Sequence, residues 1–337
     1  MSALAFIWFL LIGVLIAGYF ILDGFDLGIG VLYPVLAQGE RERAVLRRAI
    51  GPVWDGNEVW LLTGGGALFA AFAPAYATSF SGFYLAIMLV LFGLILRAIA
   101  LEYRAHDTAW ARVYDVLLTL GSLLPALLFG VAVGNVVRGL DLNAHGDYVG
   151  TFFDLLNPFS LACGVLGLAH MLVQGCAWAA LKAPADSALA SRARTLRTRL
   201  CAAEMVVFVV ASALLVLQVT SATNGAVAVR GAALVFAVIY CASVLVCGWM
   251  HHDLAAHVAA SAGCVGLVGI AASSLFPNLI NATVPEYAIS IAGAAATPLT
   301  LGIMLVIAAI GVPIVLVYHV IAYRIFRGRL AAEDLDY

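Results

Sequence analysis

The chain has 337 residues, of which 64% are hydrophobic and 11% charged, with a formal net charge of −2. Its mean hydropathy is +1.06. A soluble domain carries about a quarter charged residues, so these values exclude a soluble globular protein, and the near-neutral charge leaves no basic footprint for nucleic acid.

Apolar stretches, measured against about 20 residues per crossing, predict an all-α integral membrane protein with nine transmembrane helices. They run over 5–34, 52–73, 79–101, 113–136, 155–181, 199–218, 230–248, 254–276 and 299–325. The first is too long for a signal peptide, has no basic leader and carries Asp23 and Asp26, so it reads as a retained helix. Basic residues then set orientation. Arg41, Arg43, Arg47 and Arg48 fall in the first loop, and Arg97, Arg104 and Arg112 flank the third helix. Lys182, Arg192, Arg194, Arg197 and Arg199 fill the loop after the fifth, and Arg324, Arg327 and Arg329 follow the ninth. Of the 17 Lys and Arg residues only Arg138 and Arg230 fall on the other side. Positively charged loops stay inside, which predicts an external N-terminus and a cytoplasmic C-terminus. Eight helices would put the C-terminal arginines on the wrong face. The external loops are acidic, with Asp141, Asp147 and Asp154 in one and Glu286 in another. The small, polar stretch around Pro184 to Ser191 reads as the division between helices 1–4 and helices 5–8.

The chemistry-bearing residues lie in the first three helices. Gly24 and Gly28, flanking Asp26, form a small-xxx-small pair that admits a close helix neighbour. In Gly51-Pro52-Val53-Trp54-Asp55-Gly56-Asn57-Glu58-Val59-Trp60 the proline suits a helix start. Asp55 and Glu58, three residues apart, share one helix face. An acid in a first turn is stabilised by the helix dipole, which accounts for Asp55. Glu58 lies ~9 Å inside the helix, where an acid is costly in lipid. Asp26, Glu58 and Arg97 come from three consecutive helices and fall at similar depth, so they predict one charged belt near the cytoplasmic face. Arg97 can neutralise one carboxylate, with Asp26 a candidate partner. Asp23, Asp26, Glu58 and Asp55 are therefore candidate proton carriers, against the alternative of an ion cluster that only fixes the bundle.

The 7 histidines and 6 cysteines offer less. His170 near mid-membrane and His319 near the inner end of the last helix lie in no haem motif, and no Cys-x-x-Cys-His occurs. They read as packing residues, and His106, His145, His251, His252 and His257 as interfacial ones. Cys163, Cys176, Cys201, Cys241, Cys247 and Cys264 lie in apolar helices without metal or redox spacing, so no metal site is expected. Glu204, near the start of the predicted sixth helix, reads as an acid paired with Arg199 at the inner surface.

Several blocks in register resemble subunit II of the cytochrome bd-type quinol oxidases, the cyanide-insensitive branch included. They are Gly18-Tyr19-Phe20-Ile21-Leu22-Asp23-Gly24-Phe25-Asp26-Leu27-Gly28-Ile29-Gly30, Gly51 to Trp60, Gly64-Gly65-Gly66-Ala67-Leu68-Phe69 and Ser81-Gly82-Phe83-Tyr84. Arg97 with Glu102-Tyr103-Arg104, and Asn157-Pro158-Phe159, complete the set. The resemblance implies two four-helix bundles plus one peripheral helix. Its segments are 1–136 for the first bundle, 137–276 for the second, and 277–337 for the last external loop, ninth helix and cytoplasmic tail. It implies a multi-pass protein of the bacterial cytoplasmic (inner) membrane, paired with a larger subunit I that carries haems b and d and oxidises quinol. A small single-helix subunit, membrane lipid and quinone are further implied partners. In the family the position of Asp55 opens a proton path into subunit I. Some members hold a structural quinone near positions matching Trp54 and Arg97. The competing reading is a proton-coupled secondary transporter, which calls for helices broken around a substrate in both halves. The Gly64–Gly66 run has no counterpart in the second half.

Overall fold

The computed structural model describes residues 1–107, 109–219 and 227–330. The side chain of Arg230 and the tail beyond Leu330 lie outside it. Among the described residues the fold is helical apart from one two-stranded hairpin. In chain order the helices are α1 (Ala3–Leu22), α2 (Gly24–Leu36), α3 (Glu40–Ile50), α4 (Trp54–Ala71), α5 (Ala73–Gly82), α6 (Tyr84–Tyr103) and α7 (Ala111–Arg138). They continue with α8 (Pro158–Lys182), α9 (Ala188–Val219), α10 (Val227–Trp249), α11 (Asp253–Leu275), the short α12 (Ile291–Ala294) and α13 (Pro298–Ile325).

Eight stretches among the described residues are long and apolar enough to cross a membrane: α1 with α2, then α6, α7, α8, α9, α10, α11 and α13. The chain is thus a multi-pass membrane protein. α4 falls outside this group because Asp55, Asn57 and Glu58 lie in its first turns. It is nonetheless one unbroken helix through Gly64, Gly65 and Gly66, so the glycine run makes no break of the kind a transporter site requires.

Local chemistry explains the element ends. Asn157 caps α8 by accepting from Ser160 N at 3.0 Å, and Pro158 takes the first helical position, where no N–H is needed. Thr297 and Pro298 repeat the arrangement at α13. α3 was expected as loop. Its Val45, Leu46, Ala49 and Ile50 recur at helical spacing and are buried, while Glu40 and Arg47–Arg48 sit at the ends that complement the helix dipole. Gly39 turns the chain into it with a φ of 109°, a conformation that favours glycine.

Other boundaries also depart from the expected ones. α9 begins at Ala188 rather than 199, so Arg192, Arg194, Arg197 and Arg199 stand on a helix extended past the apolar stretch. Pro184 to Ser191 is the α8–α9 turn and the start of α9. α8 packs against α2 and α7 as well as α9. The predicted third helix is preceded by α5, separated from α4 at Phe72 and from α6 at Phe83. The loop after α11 contains β1 (Asn278–Ile280) paired antiparallel with β2 (Ile289–Ser290). Asn281 ties it to the end of α7 by donating to Val137 O at 3.0 Å.

Burial ranks the helices. In the most apolar window of α8, 56% of residues are buried, against 6% for α13. α8 is therefore the central post and α13 a peripheral one. α2 reaches α8 closely because Gly28 has no Cβ: one placed there would stand 1.9 Å from Met171 O. Gly24 faces the same helix at Gln174, so the predicted small-xxx-small pair serves the α2–α8 contact.

Candidate functional site

Four helices bring the acids of the first half together. Asp23 sits at the one-residue interruption between α1 and α2, and Asp26 one turn further along. Glu58 is on α4 and Arg97 on α6. α7 holds α6 in place through Gly121, whose missing Cβ would meet Arg97 N at 2.7 Å. Asp23, Asp26 and Arg97 are each 0% exposed.

Arg97 Nη2 donates to Asp23 Oδ1 at 2.7 Å and also to Glu58 Oε1. The expected partnership of Arg97 with Asp26 does not form, because Asp26 is held by an amide instead. Asn57 Nδ2 donates to Asp26 Oδ2 at 2.7 Å and to Leu22 O at 2.9 Å, and Asn57 Oδ1 accepts from Tyr323 OH of α13 at 3.0 Å. All three partners agree on which end of the amide is which. A second α4–α13 tie joins Trp60 Nε1 to His319 Nε2 at 3.3 Å.

Exposure is graded along α4. Asp55 is exposed, the Glu58 side chain is 22% exposed, and Asp23 behind it is sealed. One guanidinium bonds two of the three carboxyl groups, Asp23 and Glu58. Asp23 Oδ2, Asp26 Oδ1, Arg97 Nε and Arg97 Nη1 are buried without a protein hydrogen-bond partner, so the cluster has spare donors and acceptors.

The arginines around α3 are used differently, in a network at the edge of the fold where Glu40 is exposed and Arg104 buried. Arg104 bridges Asp115 (2.9 Å) and Glu40 (2.8 Å), while Arg43 adds to Asp115 and Arg47 to Glu40. Partial burial alone would raise the Glu40 carboxyl, but the bonds from Arg47 and Arg104 outweigh it and hold the group below the usual carboxylate range.

The second half holds a cluster that the sequence did not reveal. Glu204 is 0% exposed and bonded to His170 and Tyr240, not to Arg199. The reason is the early start of α9, which places Glu204 ~24 Å into that helix. His170 Nδ1 lies 2.6 Å from Glu204 Oε1, and Nε2 lies 3.0 Å from Ala260 O. A carbonyl oxygen only accepts, so Nε2 carries a hydrogen and one further proton lies between Nδ1 and Glu204. His319 likewise engages both ring nitrogens, with Trp60 and Val315 O. Neither imidazole has a nitrogen free for haem iron. Among the described residues no group of three or more His, Cys, Asp or Glu could hold a metal ion. His257, expected at the interface, instead packs within the bundle against Phe25 and Trp178.

The whole-chain comparisons decide the family. The sequence pattern described as "Cytochrome bd terminal oxidase subunit II" matches residues 4–326. The chain belongs to that family. It is 36% identical to the "Probable cytochrome oxidase subunit 2" of Haemophilus influenzae and 33% identical to the "Cytochrome bd-I ubiquinol oxidase subunit 2" of Escherichia coli K12, covering 99% of this chain and 97% of each relative. A Bacillus subtilis "Cytochrome bd ubiquinol oxidase subunit 2" is 32% identical, with 99% of both chains covered. The bd oxidase structure from Geobacillus thermodenitrificans has the same fold, with a TM-score of 0.78 at 16% identity over 96% of this chain and 99% of that one. This bd oxidase subunit II is thus a component of a multi-subunit oxidoreductase.

Asn57 and Tyr323 escaped the sequence reading. The signal for Asn57 was its place between Asp55 and Glu58 in a stretch expected to cross the membrane, where an amide needs partners as an acid does. Tyr323 gave no such signal.

Proposed function

We propose that this chain is the haem-free subunit of a bd-type quinol oxidase, in which quinol is oxidised and oxygen reduced to water on a larger partner of the bacterial cytoplasmic membrane. It crosses nine times, α4 included, with the N-terminus outside and the C-terminus inside. Two four-helix bundles, 1–136 and 137–276, are followed by the peripheral α13 within 277–337. Haems b and d belong to the partner, a reading supported by the engaged nitrogens of His170 and His319.

Its own chemistry is proton uptake. The observation that carries this reading is the gradient from exposed Asp55 through partly exposed Glu58 to the sealed Asp23–Arg97 pair. Asp55 collects protons at the cytoplasmic mouth of α4. Glu58 is the exchanging group, because Arg97 Nη2 is shared between it and Asp23, one cation balances one carboxylate, and Glu58 is the partner that is partly exposed. Asn57 and Tyr323 fix Asp26 beside them. Buried donors and acceptors without protein partners suit bound water, which completes a path that side chains alone leave open. A structural quinone near Trp54 and Arg97 is part of the same reading: Trp54 is half-buried at the start of α4, while the Arg97 guanidinium faces Asp23 and Glu58.

The test is Glu58→Gln in the assembled oxidase, reconstituted into vesicles with a pH dye on the cytoplasmic side. Glutamine still bonds to Arg97 but exchanges no proton, so uptake on turnover should fall while haem spectra stay normal. Unchanged uptake would remove Glu58 from the path.

A further inference from the structure

At the inner ends of α8 and α13 lies a cavity of about 130 Å³, lined by Arg48, Trp178, Lys182, Phe326, Arg327 and Arg329 among others. Among the described residues that line it, four are cations and none is an acid. Arg329 is balanced, because it donates to Asp253 at 2.7 Å and to the carbonyls of Ala180 and Ala183. Lys182 is not. It is only 8% exposed, its Nζ donates to Phe326 O, and it stands 4.9 Å over the Trp178 ring. A carbonyl and a ring face are dipoles rather than counter-charges, and among the described residues Lys182 joins no ion pair with a carboxylate. Burying a cation with nothing to balance it is costly.

We propose that this cavity binds a phosphate-bearing anion, the headgroup of an anionic phospholipid, which supplies the missing counter-charge to Lys182. Basic pockets between helices at the cytoplasmic side suit such headgroups. The volume argues for a headgroup, since sites for drug-sized ligands start at about 300 Å³. Trp178, Ile325 and Phe326 give the cavity an apolar wall for the first carbons of the lipid. Arg327, whose residue is exposed, stands where an entering phosphate is met first. The proposal uses the orientation proposed above only to say which leaflet supplies the lipid; Tyr323 also lines the cavity, but neither Lys182 nor Arg327, the residues tested, belongs to the Asp55–Glu58 path.

The assembled oxidase, stripped of lipid by detergent exchange, is titrated with phosphatidylglycerol, phosphatidylcholine or inorganic phosphate and read by native mass spectrometry. Phosphatidylglycerol should be retained in preference to phosphatidylcholine. Lys182→Gln and Arg327→Gln should each weaken it roughly fivefold, the scale of one basic group at an anionic surface. Arg327→Gln alters an exposed side chain, so it carries the test if Lys182→Gln fails to assemble. Arg138→Gln at the other membrane face should change nothing. Inorganic phosphate bound with the same dependence on Lys182 and Arg327, and no lipid retained, would support the same pocket with the free ion as its source. Equal retention of both lipids, or retention indifferent to both substitutions, would overturn the proposal. Binding that emerges only after residues 331–337 are deleted would also overturn it, because the acids Glu333, Asp334 and Asp336 would then be the native occupants.

Discussion

Arg97→Met is the most informative stability test of the buried cluster. Arg97 and Asp23 are both 0% exposed and meet at 2.7 Å. Methionine keeps much of the side-chain volume but leaves Asp23 without a counter-charge. At an effective dielectric of about 20, unit charges ~4 Å apart attract by about 4 kcal/mol, and breaking one partner out of a buried pair costs ~3–5 kcal/mol. Glu58 adds less, because its side chain is 22% exposed and can turn toward polar surroundings. A loss of this size should lower the unfolding temperature of the purified oxidase by about 10 °C, measured by intrinsic fluorescence, and cut the yield of assembled complex. The double variant Asp23→Leu/Arg97→Met removes both charges and should recover most of the loss, since apolar replacement of a buried pair is often neutral. If the double variant is as unstable as Arg97→Met alone, the cost does not come from an uncompensated Asp23 and the electrostatic reasoning fails.

Three further outcomes are expected. Glu204→Ala leaves His170 and Tyr240 facing an empty acceptor position and should destabilise the complex by about 3 kcal/mol or more, whereas His170→Ala should leave the haem content per assembled complex unchanged, read from reduced-minus-oxidised spectra. A cysteine at position 43 should react with a membrane-impermeant reagent only from the cytoplasmic side, and labelling from outside would reverse the orientation. Glu40 has a carboxyl lowered from its ordinary 4.5, so its contribution is fully present above that value and disappears as pH falls through the lowered one. Glu40→Gln should therefore be less stable than the parent at pH 6, with the gap closing below 4.5 in thermal melts.

The first-half cluster was legible because charges inside apolar stretches are conspicuous. Asp23, Asp26, Glu58 and Arg97 stand out at once, and helix rise alone puts Glu58 and Arg97 at similar depth. Which carboxylate meets Arg97 was not legible. Asp23 and Asp26 lie within ~60° of each other around the helix, and an amide, Asn57, decides between them by claiming Asp26. Glu204 was misread for a different reason. A hydropathy window ends where arginines begin, but α9 continues as helix through Arg199, Arg197, Arg194 and Arg192 to Ala188. An acid assigned to a helix start was in fact deep in the bundle. α3 was hidden by its charges in the same way, although Val45, Leu46, Ala49 and Ile50 already carried the helical spacing. The β1–β2 hairpin rests on contacts with the end of α7, which no local pattern announces.

The central claim is that protons for oxygen reduction enter through Asp55. Asp55→Asn in an assembled, haem-replete oxidase tests it, because asparagine is nearly isosteric, still suits a helix start and cannot exchange a proton at physiological pH. Oxygen consumption with excess quinol and proton uptake from the cytoplasmic side are measured together. The account predicts that both fall in step by about tenfold or more, with haem spectra and subunit stoichiometry unchanged. Full turnover with full proton uptake would contradict it and leave Asp55 as no more than an acid in the first turn of α4.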